Sequence, residues 1–395
     1  MISKQQTPKI RLTGFSEDWV EQKLGDVLKI KSGLSQKEIE VADGIYPILA
    51  TGGEIGRTNT ALYSKESVLI GRKGTIDKPY YMTTPFWTVD TLFYSELSER
   101  VSGLFIFTLF QKIQWRKLDT STGVPSLTSS TIHNIIANFP TKTEQTAIGK
   151  LFQNVDQTIA LQRRKHEQTQ MLKKSLLSKM FPQKGHSQPE IRLNGFSGDW
   201  VESKFFDNIE SIIDFRGRTP KKIGLEWSEK GYLALSALNV KNGYIDFNLD
   251  KHFGNEELYQ KWMGGKELVV GQVLFTTEAP MGNVAQVPDN RGYILSQRTI
   301  AFNIRKELLT DDFLAILLRS PVTFNMLESM SSGGTAKGVS QKSLTNLQVV
   351  TPQQLEEQTA IGQFFKRLDD TISIQAKQLK TLDNLKQALL AKMFV

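Results

Sequence analysis

Apolar residues recur at alternating steps of four and three in two long stretches of the chain. In the first stretch they occupy Ile148, Phe152, Val155, Ile159, Leu172, Leu176 and Met180. In the second stretch they occupy Ile361, Phe365, Leu368, Ile372, Leu379, Leu382, Leu389 and Met393. This spacing places the apolar side chains on one face of an α-helix with coiled-coil character. The pattern therefore predicts two long helices.

Residues at the starts of both stretches are typical of helix beginnings. Pro140 and Pro352 lie where the helices would begin, and Thr351 precedes Gln354 by three residues, which is the spacing of a capping box. A first helix over residues 143–180 would be about 57 Å long at 1.5 Å per residue. Because the two helices have similar sequences, we expect them to pair antiparallel as a coiled coil.

The segments between these stretches have a different pattern. From 25 to 139 and from 207 to 350, short β-rich pieces alternate with glycines and polar residues. Ser67–Ile70 and Phe86–Phe93 are examples from the first segment. Such pieces, bounded by turn residues, predict strands, so we expect two globular domains of mixed α/β structure.

The chain also repeats itself. Pro8–Glu21 returns as Pro189–Glu202, 181 positions later, and Glu144–Gly149 returns as Glu357–Gly362, 213 positions later. The middle of the second copy is therefore 32 residues longer than the middle of the first. Similar ends around different middles are expected when one scaffold presents two recognition surfaces. Duplication followed by loop insertion is the alternative explanation.

The predicted fold class is thus α+β, with two globular domains joined by two long helices that are conserved between the copies, in a pseudo-twofold internal repeat. The predicted boundaries are 1–24 for an N-terminal repeat segment, 25–142 for the first variable domain, 143–185 for a central helical region, 186–205 for a second repeat segment, 206–351 for the second variable domain and 352–395 for a C-terminal helical region.

The composition favours a polyanionic partner. Lys and Arg number 49 against 41 Asp and Glu, which gives a net charge of +8. The chain has 0 Cys, so disulfides and cysteine-ligated zinc are excluded and a reducing cytoplasm is favoured. No stretch approaches the roughly 18 apolar residues of a membrane span. We therefore expect a cytoplasmic protein that binds nucleic acid and no membrane.

Glycine-rich loops in both variable segments carry the residue types that contact DNA. Glycine allows close approach to phosphate, Ser and Thr donate hydrogen bonds to phosphate oxygens, and Arg, Gln and Asn pair with base edges. The DNA-contact candidates of the first segment are Thr51, Gly52, Gly53, Arg57, Thr58, Asn59, Arg72, Lys73, Thr75, Ser121 and Thr122. Those of the second are Arg216, Arg218, Thr219, Lys221, Lys222, Thr276, Thr277, Gln297, Arg298, Ser332, Gly333, Gly334, Thr335 and Lys337. Each could instead be an ordinary solvated loop residue.

Motifs of catalysis are missing from the sequence. There is no Gly-x-Gly cofactor turn, and Gly264-Gly-Lys-Glu267 lacks the earlier glycine and the hydroxyl residue of a phosphate-binding P-loop. The four histidines form no HxH or HExxH pair. We therefore expect no catalytic residues, no metal site and no cofactor in this chain.

The repeated motifs resemble a known family. Gly14-Phe15 with Trp19 and Gly195-Phe196 with Trp200 open the two copies. Each copy closes with Glu-Gln-x-x-Ile-Gly followed by a helix that ends in Lys-Met-Phe, as in Lys179–Phe181. Together these motifs resemble the specificity subunits (HsdS) of type I restriction-modification systems. One departure is Phe206, which replaces a glycine of the first copy.

The resemblance implies a non-catalytic subunit with two target recognition domains, each of which reads one half of a bipartite, asymmetric sequence in double-stranded DNA. The repeated helices would set the spacer between the halves. Two modification subunits with S-adenosylmethionine, which methylate adenine N6, and two restriction subunits with ATP and Mg would be the partners. The resemblance implies docking of partners at Gln145, Ile148, Gly149, Phe152, Asp156, Gln358, Ile361, Gly362, Phe365 and Asp369.

Two other functions remain as alternatives. A coiled-coil scaffold with protein-binding side domains would show no sequence-selective retention of DNA at any salt concentration. A diverged methyltransferase would transfer labelled methyl groups by itself, although the missing motifs argue against it.

Overall fold

The computed structural model describes residues 7–119, 121–332 and 337–395. The chain forms two compact units. The first contains residues 1–164 and 377–395, and the second contains residues 165–376. Each long helix contributes one part to each unit, so neither unit consists of a variable segment alone.

The first unit contains short helices between its strands. The helices are Leu24–Val27, Gly103–Lys112, Ser129–His133 and the first part of the central helix, Lys142–Lys179, with a 3-10 turn at Trp115–Leu118. The strands are Val20–Lys23, Leu28–Ser32, Tyr46–Ala50, Gly53–Thr58, Ser67–Gly71, Tyr80–Met82, Trp87–Thr88, Leu92–Leu97 and Ile136–Phe139.

Three sheets organise the first unit. The largest is antiparallel, in the order Leu28–Ser32, Leu92–Leu97, Ser67–Gly71, Tyr80–Met82. A second sheet has the order Gly53–Thr58, Tyr46–Ala50, Trp87–Thr88, with its last pair parallel. In a third, Val20–Lys23 pairs antiparallel with Ile136–Phe139. The repeat segment is thereby joined to the strand that leads into the central helix.

The second unit has more elements. Its helices are Glu256–Met263, Asp311–Leu317, Pro321–Ser329, Gln341–Leu344 and the first part of the C-terminal helix, Leu355–Met393, with 3-10 turns at Phe205–Asn208 and Pro220–Ile223. Its strands are Val201–Lys204, Ile209–Asp214, Tyr232–Leu235, Val240–Lys241, Tyr244–Ile245, Phe253–Gly254, Val273–Thr276, Val284–Gln286, Tyr293–Leu295, Thr299–Ile304 and Gln348–Thr351.

The sheets of the second unit follow the plan of the first. The four-stranded antiparallel sheet has the order Ile209–Asp214, Thr299–Ile304, Val273–Thr276, Val284–Gln286. The three-stranded sheet has the order Phe253–Gly254, Tyr232–Leu235, Tyr293–Leu295, again with a parallel last pair. A hairpin at 240–245 and the helix Glu256–Met263 are additions. The predicted α+β class and internal repeat are confirmed.

The two long helices pair antiparallel within each unit. In the first unit Ile148 and Phe152 share a core with Met393 and Phe394, so the start of one helix meets the end of the other. In the second unit Phe365 lies in the same core as Met180 and Phe181. Polar contacts flank both cores, among them Lys386–Asp156 at 2.6 Å in the first unit. The predicted antiparallel pairing is confirmed.

The predicted helix ends need small corrections. The central helix spans Lys142–Lys179, one residue earlier at each end than predicted. The capping box predicted at Thr351 is wrong, because Thr351 ends a strand and the C-terminal helix begins only at Leu355. The prediction failed because strand pairing with Val201 holds the backbone of Thr351 extended.

A buried ion pair fastens each repeat segment to the start of a long helix. Arg11 donates to both carboxylate oxygens of Glu144, at 2.8 and 2.7 Å. In the second unit Arg192 donates to both oxygens of Glu357, at 2.8 Å each. The Glu144 and Glu357 side chains are only 1% and 2% exposed. Paired donation of this kind is the strongest form of charge-assisted hydrogen bonding.

We expect Arg11→Met to destabilise the first unit strongly. The substitution leaves the buried Glu144 carboxylate without a cation, which costs roughly 3–5 kcal/mol. Urea unfolding followed by circular dichroism measures the change. In the matched control, Arg11→Met combined with Glu144→Leu, no unpaired charge remains and most of the loss should be recovered. A single variant as stable as the parent would contradict the assignment.

We also expect Gly149→Val to weaken the same unit. A Cβ atom at Gly149 would lie 2.6 Å from the Leu104 Cβ and 2.9 Å from the Phe105 backbone nitrogen. Overpacking of this kind lowers the free energy of unfolding by about 1–3 kcal/mol. Lys150→Val, at the exposed neighbouring position, controls for the helix propensity of valine. Equal effects at both positions in thermal unfolding would show that the close approach is unimportant.

Candidate nucleic-acid interface

Three predicted loops of the first unit meet at one edge of its sheets. The Tyr80 hydroxyl donates to the Thr51 carbonyl at 2.9 Å, which joins the turn at 51–53 to the strand Tyr80–Met82. The Gly74 N–H donates to the Pro125 carbonyl at 2.8 Å, and the Leu127 N–H donates to the Arg72 carbonyl at 2.9 Å. The loops around residues 51, 73 and 125 therefore form one surface.

The predicted side chains on this surface differ in their availability. Lys73 and Thr122 are exposed, as is Gly52, whereas Thr51, Gly53, Thr75 and Ser121 are half-buried. Arg72 is half-buried as well, with its guanidinium 5.9 Å from the ring centre of Phe93 and 3.3 Å from the Asp90 carbonyl. Lys73 is thus an exposed cation on this surface, with no ion pair to any of the described residues.

Residues on the strand Gly53–Thr58 and just after it fit the DNA-contact prediction less well. Arg57 donates to the Gly44 carbonyl at 2.7 Å and to the Ile45 carbonyl at 3.2 Å, so its guanidinium holds a turn of its own unit. Exposed Asn59 accepts a hydrogen bond from the Ile45 N–H at 3.2 Å. Thr58 is 0% exposed, because strand alternation turns it into the interior. The prediction of a DNA contact is wrong for Thr58.

A carboxylate holds the loop at residues 121–126. The N–H groups of Ser121 and Ser126 donate to Asp119 at 3.0 and 3.1 Å. These hydrogen bonds, first that of Ser121 and then that of Ser126, hold the pKa of Asp119 below its usual value. The carboxylate therefore stays ionised and keeps the loop shaped through the neutral pH range.

The loops of the second unit also converge. The Thr277 N–H donates to the Arg298 carbonyl at 2.8 Å, and the Val339 N–H donates to the Thr277 carbonyl at 2.8 Å. Gln297 donates to the Arg218 carbonyl, which adds the loop at 216–222. Four predicted loops of this unit are therefore neighbours.

Exposed cations lie on these loops. Lys221, Lys222 and Arg216 are exposed, and Thr219 caps the 3-10 turn Pro220–Ile223 by accepting a hydrogen bond from the Lys222 N–H. Arg218 is half-buried, donates to the Trp262 carbonyl and lies 4.5 Å from the ring centre of Phe215.

Arg216 forms an ion pair with Asp214 at 3.6 Å, and two further predicted cations of the second unit are also paired. Arg298 forms an ion pair with Glu278 at 2.9 Å, and Lys337 forms one with Glu328 at 2.8 Å. Ser332 is exposed and pairs through its backbone with Gly338. The neighbouring candidates Gly333, Gly334 and Thr335 lie outside the described residues.

The predicted contacts at Thr276 and Thr277 are wrong. Thr276 is 0% and Thr277 3% exposed. The Thr276 hydroxyl donates to the Pro280 carbonyl at 2.6 Å, and the Thr277 hydroxyl donates to the Arg298 carbonyl at 3.2 Å. Both hydroxyl groups are thus used inside the unit.

The same backbone hydrogen bonds occur at equivalent points of the two units. In the first unit the Arg72 N–H donates to the Thr91 carbonyl at 2.8 Å and the Arg72 carbonyl accepts from Leu127. In the second, Thr277 makes the corresponding two bonds with Arg298 and Val339. Isolated bridges follow in both, Lys73 with Ser126 and Glu278 with Gly338. One loop framework therefore carries different side chains in the two units.

The predicted docking residues on the long helices are mostly interior. Eight of the ten are buried, namely Gln145, Ile148, Gly149, Phe152, Gln358, Ile361, Gly362 and Phe365. The two glutamines serve their own units, since the Gln145 amide donates to the Pro140 carbonyl at 2.9 Å and the Gln358 amide to the Pro352 carbonyl at 2.9 Å. These eight offer no surface, so the docking prediction is wrong for them. Asp156 and Asp369 stay partly exposed, in ion pairs with Lys386 and Arg319.

Sequence reasoning missed several residues that shape the interface. Tyr80 and Asp119 hold loops of the first unit, and Trp227 and Trp262 line a cavity beside the loops of the second. The two tryptophans lie in the longer middle of the second copy, which was a usable signal. The role of Tyr80 depends on a contact with Thr51, 29 residues away, and left no local pattern, whereas Asp119 bonds Ser121 and Ser126 within seven residues, a local signal that the sequence did offer.

No group of three or more His, Asp or Glu side chains in the described part of the chain could hold a metal ion. No helix over residues 7–119, 121–332 and 337–395 is long and apolar enough to cross a membrane.

Comparison with known proteins identifies relatives over nearly the whole chain. The type I restriction enzyme MjaVIII specificity subunit of Methanocaldococcus jannaschii is 23% identical over 397 residues, covering 95% of this chain and 91% of that protein. The S subunit of a type I restriction-modification system from M. genitalium has a similar fold, with a TM-score of 0.67, 16% identity and coverage of 98% and 99% of the two chains.

A further structure, of a type I restriction-modification system studied for complex assembly and conformational transition, has a TM-score of 0.53, 15% identity and coverage of 95% and 97%. The family profile described as "Type I restriction modification DNA specificity domain" matches residues 16–170 and 199–384. Because these two ranges make up most of the chain, the protein belongs to the type I restriction-modification DNA specificity family.

Proposed function

We propose that each unit of this chain reads one half of a bipartite, asymmetric target in double-stranded DNA. Members of the family confer DNA sequence specificity and are not themselves catalytic. The observation that carries the proposal is the loop framework shared by both units, in which Arg72, Lys73 and Thr91 correspond to Thr277, Glu278 and Arg298. Equivalent loops with different side chains favour half-sites of different sequence.

Charge on these loops supports contact with the DNA backbone. Exposed Lys73 in the first unit and exposed Lys221 and Lys222 in the second would neutralise phosphates and release counterions. Polar groups beside them, including Gln297, would meet base edges. The predicted 25–142 and 206–351 boundaries enclose these loops, and we propose them as the two target recognition domains.

The remaining parts of the chain would serve assembly. We propose that the paired helices set the spacer between half-sites in a cytoplasmic complex with two modification and two restriction subunits. S-adenosylmethionine, ATP and Mg would belong to those partners. With eight predicted docking residues buried, the helix surface left for partners includes exposed apolar side chains, which are Leu161, Met171, Leu172, Ile374 and Leu385.

Exchange of one recognition segment tests the central proposal. The chain is co-expressed with its genomic methyltransferase partner, and methylated adenines on a plasmid are mapped by single-molecule sequencing, with the chain omitted as control. Replacing residues 25–142 with those of a relative should change one half of the methylated sequence, and replacing 206–351 should change the other half. Methylation that is the same without the chain would favour the scaffold alternative.

We expect Lys73→Ala to weaken binding of the target duplex in a salt-dependent manner. Loss of one phosphate contact should reduce the slope of log K against log salt by about 1. Fluorescence anisotropy with the assembled methyltransferase complex measures both quantities. Lys380→Ala removes the same charge from an exposed helix position of the same unit and should leave the slope unchanged. If the two variants have the same slope of log K against log salt, Lys73 does not contact the DNA.

A further inference from the structure

The second unit contains a cavity of about 610 Å³ beside the proposed DNA-contact loops. Four of its lining residues, Arg218, Thr219, Lys221 and Gln297, come from those loops. Its size lies within the range of about 300–1,000 Å³ that is usual for small-molecule sites. A group presented by DNA bound to these loops would therefore have the cavity within reach.

Aromatic rings form one side of the cavity. The ring centre of Trp227 lies 5.7 Å from that of Trp262 and 5.6 Å from that of His252. Trp262 is 1% exposed, and its indole N–H donates to the Leu295 carbonyl at 2.9 Å, which fixes the ring. Half-buried Trp227 leaves part of its ring accessible. Such a wall suits a flat, unsaturated ligand, because stacking on an aromatic side chain stabilises each nucleobase by about 1–3 kcal/mol.

A fixed polar group faces this wall. His252 Nδ1 lies 2.8 Å from a carboxylate oxygen of Asp250, and the Ser236 hydroxyl donates a hydrogen bond to the same carboxylate. With Nδ1 beside Asp250, the other ring nitrogen, Nε2, is left for another partner. Asp250 has a backbone φ of +47°, an uncommon conformation for a residue other than glycine. The wall and the polar group together could read the edge of a stacked base.

Three residues of the cavity lining come from the additions that distinguish the second unit. In the first unit a tight turn at 51–52 joins two strands of the three-stranded sheet. In the second, residues 236–252 occupy the equivalent connection and supply Asp250 and His252. The helix Glu256–Met263 supplies Trp262. The extra length of the second copy therefore contributes one part of the cavity wall.

The geometry points to a nucleobase turned out of the second half-site as the ligand of this cavity, stacked on Trp227 and hydrogen-bonded by His252, with its phosphate near Lys221. This inference rests on the proposed function, since it places the second unit on DNA. Turning out a base costs a few kcal/mol of pairing and stacking, and the cost is smallest for a base that is already unpaired. The shared chemistry, a base with its phosphate, also fits a free nucleotide.

The test uses the assembled methyltransferase complex and duplexes that carry the mapped target. Each base of the second half-site is left unpaired in turn by an abasic residue opposite it, and affinity is measured by anisotropy. At one position we expect the parent complex to bind about tenfold more tightly than it binds the paired duplex, because the unpairing cost is removed. Trp227→Ala should abolish this gain, and His252→Ala, at the rim and 53% exposed, should reduce it.

Tyr244→Ala, which removes an aromatic ring that is 60% exposed and outside the cavity lining, is the matched control and should keep the gain. A gain that persists in both cavity variants belongs to the methyltransferase partner and overturns the inference. The inference is also overturned if free deoxynucleoside monophosphates bind in a manner that depends on Trp227, while no duplex with an unpaired base binds more tightly than the paired duplex. In either case, if the parent complex still binds the paired target duplex sequence-selectively, the proposed function stands. If the parent complex shows no preference for the target sequence, the proposed function itself is contradicted.

Discussion

A buried carboxylate must be paired with a cation, and this requirement shapes both units of the chain. Glu144 and Glu357 lie at the starts of the long helices, where water is excluded, and each is held by an arginine from a repeat segment. The repeat segment that supplies each arginine also supplies a tryptophan, Trp19 in the first unit and Trp200 in the second. Each tryptophan packs into the hydrophobic core of its own unit. The repeated sequence at the ends of the copies is therefore the part that closes each unit.

The sequence predictions succeeded where the signal is local in the sequence. The two long helices could be predicted because apolar residues recur with helical spacing along the sequence. The internal repeat could be predicted because the same motifs occur twice. Docking at Gln145 and Phe152 was implied by the family resemblance, whereas both side chains are buried in their own unit. The sequence shows that a residue recurs in both copies, but only the packing shows that its side chain contacts the core of its own unit and not a partner.

The interface was predictable at the level of loops and less so at the level of side chains. The glycine-rich loops do converge, although nothing local indicates that Gly74 meets Pro125 or that Thr277 meets Arg298. Thr276 and Thr277 failed because a strand end and a backbone contact turn them inward. Since the framework is made of backbone hydrogen bonds, the side chains on it can differ between units without a change of fold.

The division of the chain into units also determines an order of assembly during synthesis. The second unit is one continuous run, Lys165–Ala376, so all of its core residues have been translated before the last part of the chain is made. The first unit is discontinuous, and Leu390, Met393 and Phe394 belong to its core. Although its strands are translated first, at about 5–20 residues per second, it completes its core last. The first core therefore stays open until the C-terminal residues are available, and this is the interval in which chaperone binding would matter most.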